Sequence, residues 1–127
     1  MPGRTLSDKV IIMERSGNLI RSDFIRGHLD SIILRLILEK DRYGYEISKE
    51  ITNRTNERFQ IKEATLYAVF QRLEKKELIE SYFGTESKGG KRKYYRITML
   101  GKAYFRESVE EWKETKEVID IFMEGFN

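Results

Sequence analysis

Residues 88–96 read K-G-G-K-R-K-Y-Y-R, setting Lys88, Lys91, Arg92, Lys93 and Arg96 around two glycines and two tyrosines with no acid among them. That mixture suits a polyanion, because ammonium and guanidinium groups meet phosphate oxygens while glycine lets the backbone come close. Residues 84–91 resemble a nucleotide-phosphate loop at first sight. They miss the G-x-x-x-x-G-K-[ST] order, since Gly90 stands in the lysine position and Arg92 follows Lys91. Catalysis finds little else to use. His28 is the single histidine, and no G-x-S-x-G nucleophile signature accompanies it. Cysteine is absent, which removes thiolate nucleophiles, disulfides and cysteine-based metal sites. Near the C-terminus carboxylates alternate with lysines, as on a solvated helix, and do not gather as metal ligands. These features point away from an enzyme, a metal and a cofactor.

The elements that must position the basic run follow from length and periodicity. A chain of 127 residues suggests one domain, able to remove about 65–70% of its unfolded surface from water. Hydrophobic residues form 39% and charged residues 35% of the chain, a globular but polar composition. No stretch approaches the ~20 apolar residues of a membrane span, and no secretory signal opens the chain, so the expectation is a cytoplasmic protein without membrane contact. The net charge of +3 says little. Its distribution says more: 88–96 is purely basic, whereas 107–124 is rich in Asp and Glu.

Residues 1–22 carry no clear period and form an N-terminal arm. Phe24, Ile25, Leu29, Ile32, Ile33, Leu36 and Ile37 predict a helix over 23–40, broken by Asp41-Arg42-Tyr43-Gly44. A shorter helix is predicted over 45–53 and a third over 62–77. On the third, Leu66, Val69, Phe70 and Leu73 fall in one sector and bury, leaving Ala64, Tyr67, Ala68, Gln71, Arg72 and Lys75 facing outward. Residues 78–83 and 91–97 alternate and are rich in Tyr, Phe and Ile, which predicts a hairpin with a glycine-tipped loop. Tyr95 and Ile97 share its core face, and Arg92, Tyr94 and Arg96 share the other. Thr98 is an N-cap for a long helix over 99–124.

Three helices followed by a hairpin with a basic loop is the order of a winged helix-turn-helix. The fold class is therefore α+β, mainly α, with a winged domain over 23–98 and a C-terminal dimerisation helix over 99–127. In that arrangement the third helix enters the major groove of double-stranded DNA and the wing follows the backbone. The small, polar outer face (Ala64, Tyr67, Ala68, Gln71, Arg72) and the wing cations (Lys88, Lys91, Arg92, Lys93) are the candidate DNA contacts. Two blander readings stand beside this one. The face could be ordinary solvated surface, or the wing could serve an acidic protein partner. A protein-binding face needs large exposed apolar residues, which this helix does not supply.

From Gly27 to Ile121 the chain resembles the PadR family of bacterial transcriptional regulators. Tyr43-Gly44-Tyr45-Glu46-Ile47 is similar to the family's GYEI signature and Ala64-Thr65-Leu66-Tyr67 to its TLY signature. Leu73-Glu74 with Leu78-Ile79, then 89–98 with Gly101, are similar to its "LE…GLI" segment and its wing and following cap. Glu77 stands where a glycine is common, and Lys62 where a capping Ser is common. The resemblance implies a homodimeric repressor on a palindromic operator, with Thr65, Tyr67 and Arg92 at DNA-contacting positions.

On the last helix Phe105, Val109, Trp112, Lys116, Ile119, Met123 and Phe126 follow 4-3 spacing, and Val118, Ile121 and Phe122 widen the apolar face. A single winged domain needs no such stripe. Val109, Trp112, Ile119, Phe122 and Met123 are therefore candidates for packing against a second copy, the alternative being a helix folded back on its own domain. In length and around Trp112 the chain resembles the family's short, multidrug-sensing branch. That resemblance implies a flat hydrophobic effector stacked on Trp112 at the dimer centre; the alternative is core packing.

Overall fold

The computed structural model describes residues 22–85 and 90–126. The N-terminal arm and Lys88 lie outside the described residues, apart from Ser22. The chain opens with α1 (Ser22–Ile25), a 3-10 turn (Arg26–His28) and α2 (Leu29–Glu39). The single helix expected here is thus broken. Gly27 lies in the turn, and His28 leaves the helical region at φ −115°, ψ 4°. Glycine's large conformational entropy makes it a weak helix former, whereas the apolar spacing that runs through it reports only which side faces the core.

After α2 come β1 (Arg42–Tyr43), α3 (Gly44–Arg54), α4 (Glu63–Lys75), β2 (Ile79–Phe83), β3 (Lys93–Ile97) and α5 (Met99–Met123). The expected hairpin is present, but the sheet has three strands in the order β1-β3-β2, all antiparallel. Arg42 pairs with Tyr95 and Tyr43 with Tyr94, while the hairpin runs from Ile79↔Ile97 to Phe83↔Lys93. β1 occupies the stretch expected as a plain break. Two residues are too few to show a period of two, so only the partner strand defines it. No helix among the described residues is long and apolar enough to cross a membrane.

The core gathers where α2, α3, α4 and the sheet meet, around fully buried Ile33, Leu34, Ile37, Ile47, Val69, Phe70 and Leu73. Tyr95 projects from β3 onto Phe70, ring on ring at 4.0 Å and 22°, and so joins sheet to α4. Burial pushes the Tyr95 hydroxyl up to about 12, which keeps it neutral.

A second lock is ionic. Arg54 on α3 clamps the Glu39 carboxylate with both terminal nitrogens, at 2.9 and 2.6 Å. Arg35 adds a bond at 2.8 Å and Arg42 one at 3.0 Å. Arg42 is buried, and its Nε donates to the Leu36 carbonyl at 2.8 Å, so one side chain ties the end of α2 to β1. The Arg54 fork, then Arg35, holds the Glu39 carboxyl well below the usual carboxylate range.

The end of α4 carries a backbone lock. Leu78 N–H donates to the Leu73 carbonyl and Glu77 N–H to that of Glu74, both at 2.9 Å, the Schellman pattern. Its left-handed residue is ordinarily glycine; here it is Glu77 at φ 63°. Thr98 caps α5 as expected, its hydroxyl oxygen accepting from Gly101 N–H at 2.9 Å.

Two outcomes follow from these locks. A non-glycine left-handed residue costs about 1–2 kcal/mol and glycine's extra chain entropy about 0.5–1 kcal/mol, so Glu77→Gly stabilises the fold by roughly 0.5–1 kcal/mol. Thermal unfolding measures it as a rise of a few degrees. The depressed Glu39 carboxyl contributes stability fully above its unfolded value of about 4.3 and loses it as pH falls through its folded value. Glu39→Gln is therefore less stable than the parent at neutral pH, and urea titrations show the gap closing in acid below about pH 4.

Candidate nucleic-acid interface

The outward face of α4 divides as its spacing predicts. Leu66, Val69, Phe70 and Leu73 are buried, while Ala64, Thr65, Tyr67, Ala68, Gln71 and Lys75 are exposed. Lys62 at the N-cap makes no side-chain bond to the helix, as its departure from the usual capping Ser leads one to expect. Glu63 in the first turn places a negative charge at the positive end of the helix dipole. Arg72 has a protein partner. Its Nε and Nη2 contact the Asp30 carboxylate on α2 at 3.2 and 2.5 Å, and this pairing raises the guanidinium's pKa further. Arg72 is thereby a strut between α4 and α2, and any phosphate it meets must share it with Asp30.

The wing cations are held by aromatic faces. The Arg92 guanidinium sits 4.5 Å over the Tyr43 ring, that of Arg96 4.8 Å over Tyr82, and the Lys93 ammonium 5.8 Å from Tyr95. Tyr94 lies between its neighbours, edge-on to Tyr43 at 5.4 Å and stacked on Tyr82 at 5.7 Å. The Tyr82 hydroxyl donates to Asp41, which anchors the far end of this ladder. Arg35, Arg42, Arg54, Arg72 and Arg96 each have a carboxylate partner, whereas Lys91, Arg92 and Lys93 have none among the described residues. Arg35, Arg42, Arg54 and Arg72 are thus neutralised within the helical frame, whereas Lys91, Arg92 and Lys93 keep their charge for an outside anion.

The wing and α4 meet at a cavity of about 240 Å³ lined by Tyr43, Gly44, Tyr45, Tyr67, Arg92, Lys93 and Tyr95. Tyr67, Arg92 and Lys93 were candidates from sequence; Tyr43, Gly44 and Tyr45 were not assigned to a site. The signal available for them was the pair of tyrosines around a glycine at the start of the second helix. Gly44 lets the Tyr67 hydroxyl lie close, since a Cβ there would fall 2.9 Å from it and push it aside.

A second region forms along α5. Its first half packs on the core through Tyr104 and Phe105, while Trp112, Val118, Ile119, Ile121, Phe122, Met123 and Phe126 are exposed. Val109 is half-buried. With Trp112 and residues of α1, α2 and α3, Val109 lines an apolar cavity of about 680 Å³. Trp112 is 48% exposed and meets the His28 ring edge-on at 5.2 Å, so it is not a core residue of the single chain.

Comparison with known proteins agrees with this architecture. Residues 33–107 match the model of the transcriptional regulator PadR-like family. An uncharacterised protein from Lysinibacillus sphaericus is 79% identical over 107 residues, covering 84% of this chain and 98% of that protein. A transcriptional regulator from Clostridium thermocellum is 54% identical and superimposes with a TM-score of 0.74 over 79% of this chain and 97% of its own. A PadR family transcription regulator from Clostridium difficile is 39% identical with a TM-score of 0.68, over 76% of this chain and 98% of its own.

The two kinds of exposed residue predict different losses. Lys91→Ala weakens binding to all duplexes by a similar factor and lowers the salt slope by about 0.9, whereas Gln71→Ala changes which duplex is preferred. Anisotropy titrations on a pool of duplexes at several salt concentrations separate the two, and the reverse pattern exchanges the roles of wing and α4.

Proposed function

Because the chain belongs to the PadR-like family of transcriptional regulators, we propose that it acts as a homodimeric repressor that holds a palindromic operator until a small, flat hydrophobic effector releases it. The observation that carries this reading is that Lys91, Arg92 and Lys93, which have no carboxylate partner among the described residues, lie beside the small, polar face of α4. Ala64, Thr65, Ala68 and Gln71 suit an approach to base edges, since small side chains let a helix sit deep in the groove and an amide can pair with adenine. Lys91, Arg92 and Lys93, with Lys88 beside them in sequence, suit phosphates. This division supports a role in the cytoplasm, on chromosomal DNA.

The dimer rests on α5. Exposed Ile119, Phe122 and Met123 and the apolar cavity at Val109 and Trp112 belong to one chain, so two copies can cover each other's apolar surface across a twofold axis. Such a pair spaces its recognition helices about 34 Å apart, one turn of DNA. An effector beside Trp112 relieves repression only to the extent that it prefers a dimer geometry with a different spacing. The exposed indole offers it a stacking face. The alternative, a winged module for protein contact, lacks the large apolar residues on α4 that such a surface needs; Tyr67 is the one bulky residue there.

Duplex titration against salt tests the reading. Affinity is expected to fall steeply and log-linearly as counterions are released, by about 0.9 in slope per phosphate contacted. Absence of binding at low salt overturns the assignment to DNA. For the effector, flat cationic dyes at micromolar concentration change Trp112 emission in the parent, and Trp112→Ala binds them more weakly; unchanged emission removes the effector from the account.

A further inference from the structure

We propose that Tyr67, Arg92 and Lys93 converge on a single backbone phosphate of the bound duplex in the cavity at the start of α3, with Tyr43 as the residue that positions Arg92 there. The inference deepens the DNA-binding reading above and rests on it. The cavity's polar groups are two cations and tyrosine hydroxyls, and none of its lining residues is acidic. Its volume of about 240 Å³ equals that of some eight waters at ~30 Å³ each, which admits a phosphodiester group.

The Tyr67 hydroxyl lies against the backbone of Gly44, where a side chain would strike it, and it makes no hydrogen bond among the described residues. It has a proton to donate and no acceptor for it among the described residues. Arg92 is arranged in the complementary way. Its guanidinium carbon sits 4.5 Å over the Tyr43 ring, a contact with a π face that engages no acceptor and so leaves N–H groups for phosphate oxygens. Tyr43 is itself fixed, since β1 pairs it with Tyr94 and the Tyr94 ring meets it edge-on. A long side chain that would otherwise sample many rotamers is thus held at the cavity before DNA arrives. Lys93 supplies a second charge from the next position on the wing.

One consequence separates this arrangement from a general basic surface. Tyr67 stands on the recognition helix yet serves a phosphate, so it contributes affinity without sequence preference, and reading falls to its neighbours. Replacing it by phenylalanine removes a hydrogen bond and no cation, so the counterion count is unchanged.

The test uses the full chain, an operator duplex found by selection from random DNA, and a scrambled duplex of equal length. Tyr67→Phe lowers affinity for both by the same factor, about three- to tenfold, with the salt slope unchanged. Arg92→Ala lowers both equally and reduces the slope by about 0.9. Tyr43→Leu weakens binding in the parent but adds nothing in an Arg92→Ala background. In a series of duplexes carrying one neutral methylphosphonate at each backbone position in turn, one position per half-site weakens the parent and leaves Tyr67→Phe and Arg92→Ala no worse than before. If Tyr67→Phe shifts the preference between the two duplexes, or Tyr43→Leu and Arg92→Ala add fully, or no single position silences both variants, the shared phosphate is overturned while DNA binding stands. If the parent binds neither duplex at low salt, both fail together. Tyr67→Phe and Arg92→Ala alter exposed groups, so their thermal unfolding matches the parent's and keeps the result interpretable should Tyr43→Leu loosen β1.

Discussion

At the Leu78 carbonyl the ends of three elements come together. Thr98 N–H donates to it at 3.0 Å, the Thr98 hydroxyl donates to the neighbouring Glu77 carbonyl at 2.8 Å, and the same oxygen accepts from Gly101 N–H at 2.9 Å. A Cβ on Gly101 would stand 2.1 Å from the Leu78 oxygen, so α5 can start at this point only because that residue has no side chain. The Schellman turn delivers Leu78 from α4, and the hairpin pairing begins one residue later with Ile79↔Ile97. The end of α4, the hairpin and the start of α5 therefore share one hydrogen-bonded joint.

Around that joint two groups of cations stand out. Those that meet carboxylates brace helices against one another: Arg54, Arg35 and Arg42 on Glu39, and Arg72 on Asp30. Partly shielded, multiply bonded pairs of this kind hold geometry, since losing one partner strands the other. In the second group, at the wing, Arg92 and Lys93 are presented on tyrosine rings. Aromatic contact orients a cation without neutralising it, so the positive field survives and steers an anion toward the place where the side chains already wait. Helices are braced where Glu39 and Asp30 cancel charge, while Lys91, Arg92 and Lys93 have no carboxylate partner among the described residues.

Much of this architecture can be read from local pattern. The buried and exposed sides of α4, the cap at Thr98, the hairpin and the unpartnered stripe of α5 each depend on residues one to four positions apart, whose relative directions are set by the helix or strand itself. The glycine position filled by Glu77 was legible too, as a departure from a familiar pattern, and its left-handed backbone is what that departure implies.

What local pattern does not contain is the partner across the fold. Arg72 looks like any outward cation until Asp30, 42 residues earlier, closes on it, and β1 is two residues of extended chain until β3 pairs with them. The Tyr43 ring beneath Arg92 and the cavity that joins α3, α4 and the wing exist for the same reason. By itself the sequence determined which residues turn inward, where elements start and stop, and that a basic wing follows a small-faced helix, because covalent geometry carries those directions along the chain. Only the tertiary structure decided which cations are spent on carboxylates and which remain for an outside anion. Pairing depends on distances through space, and those are set by how the helices pack.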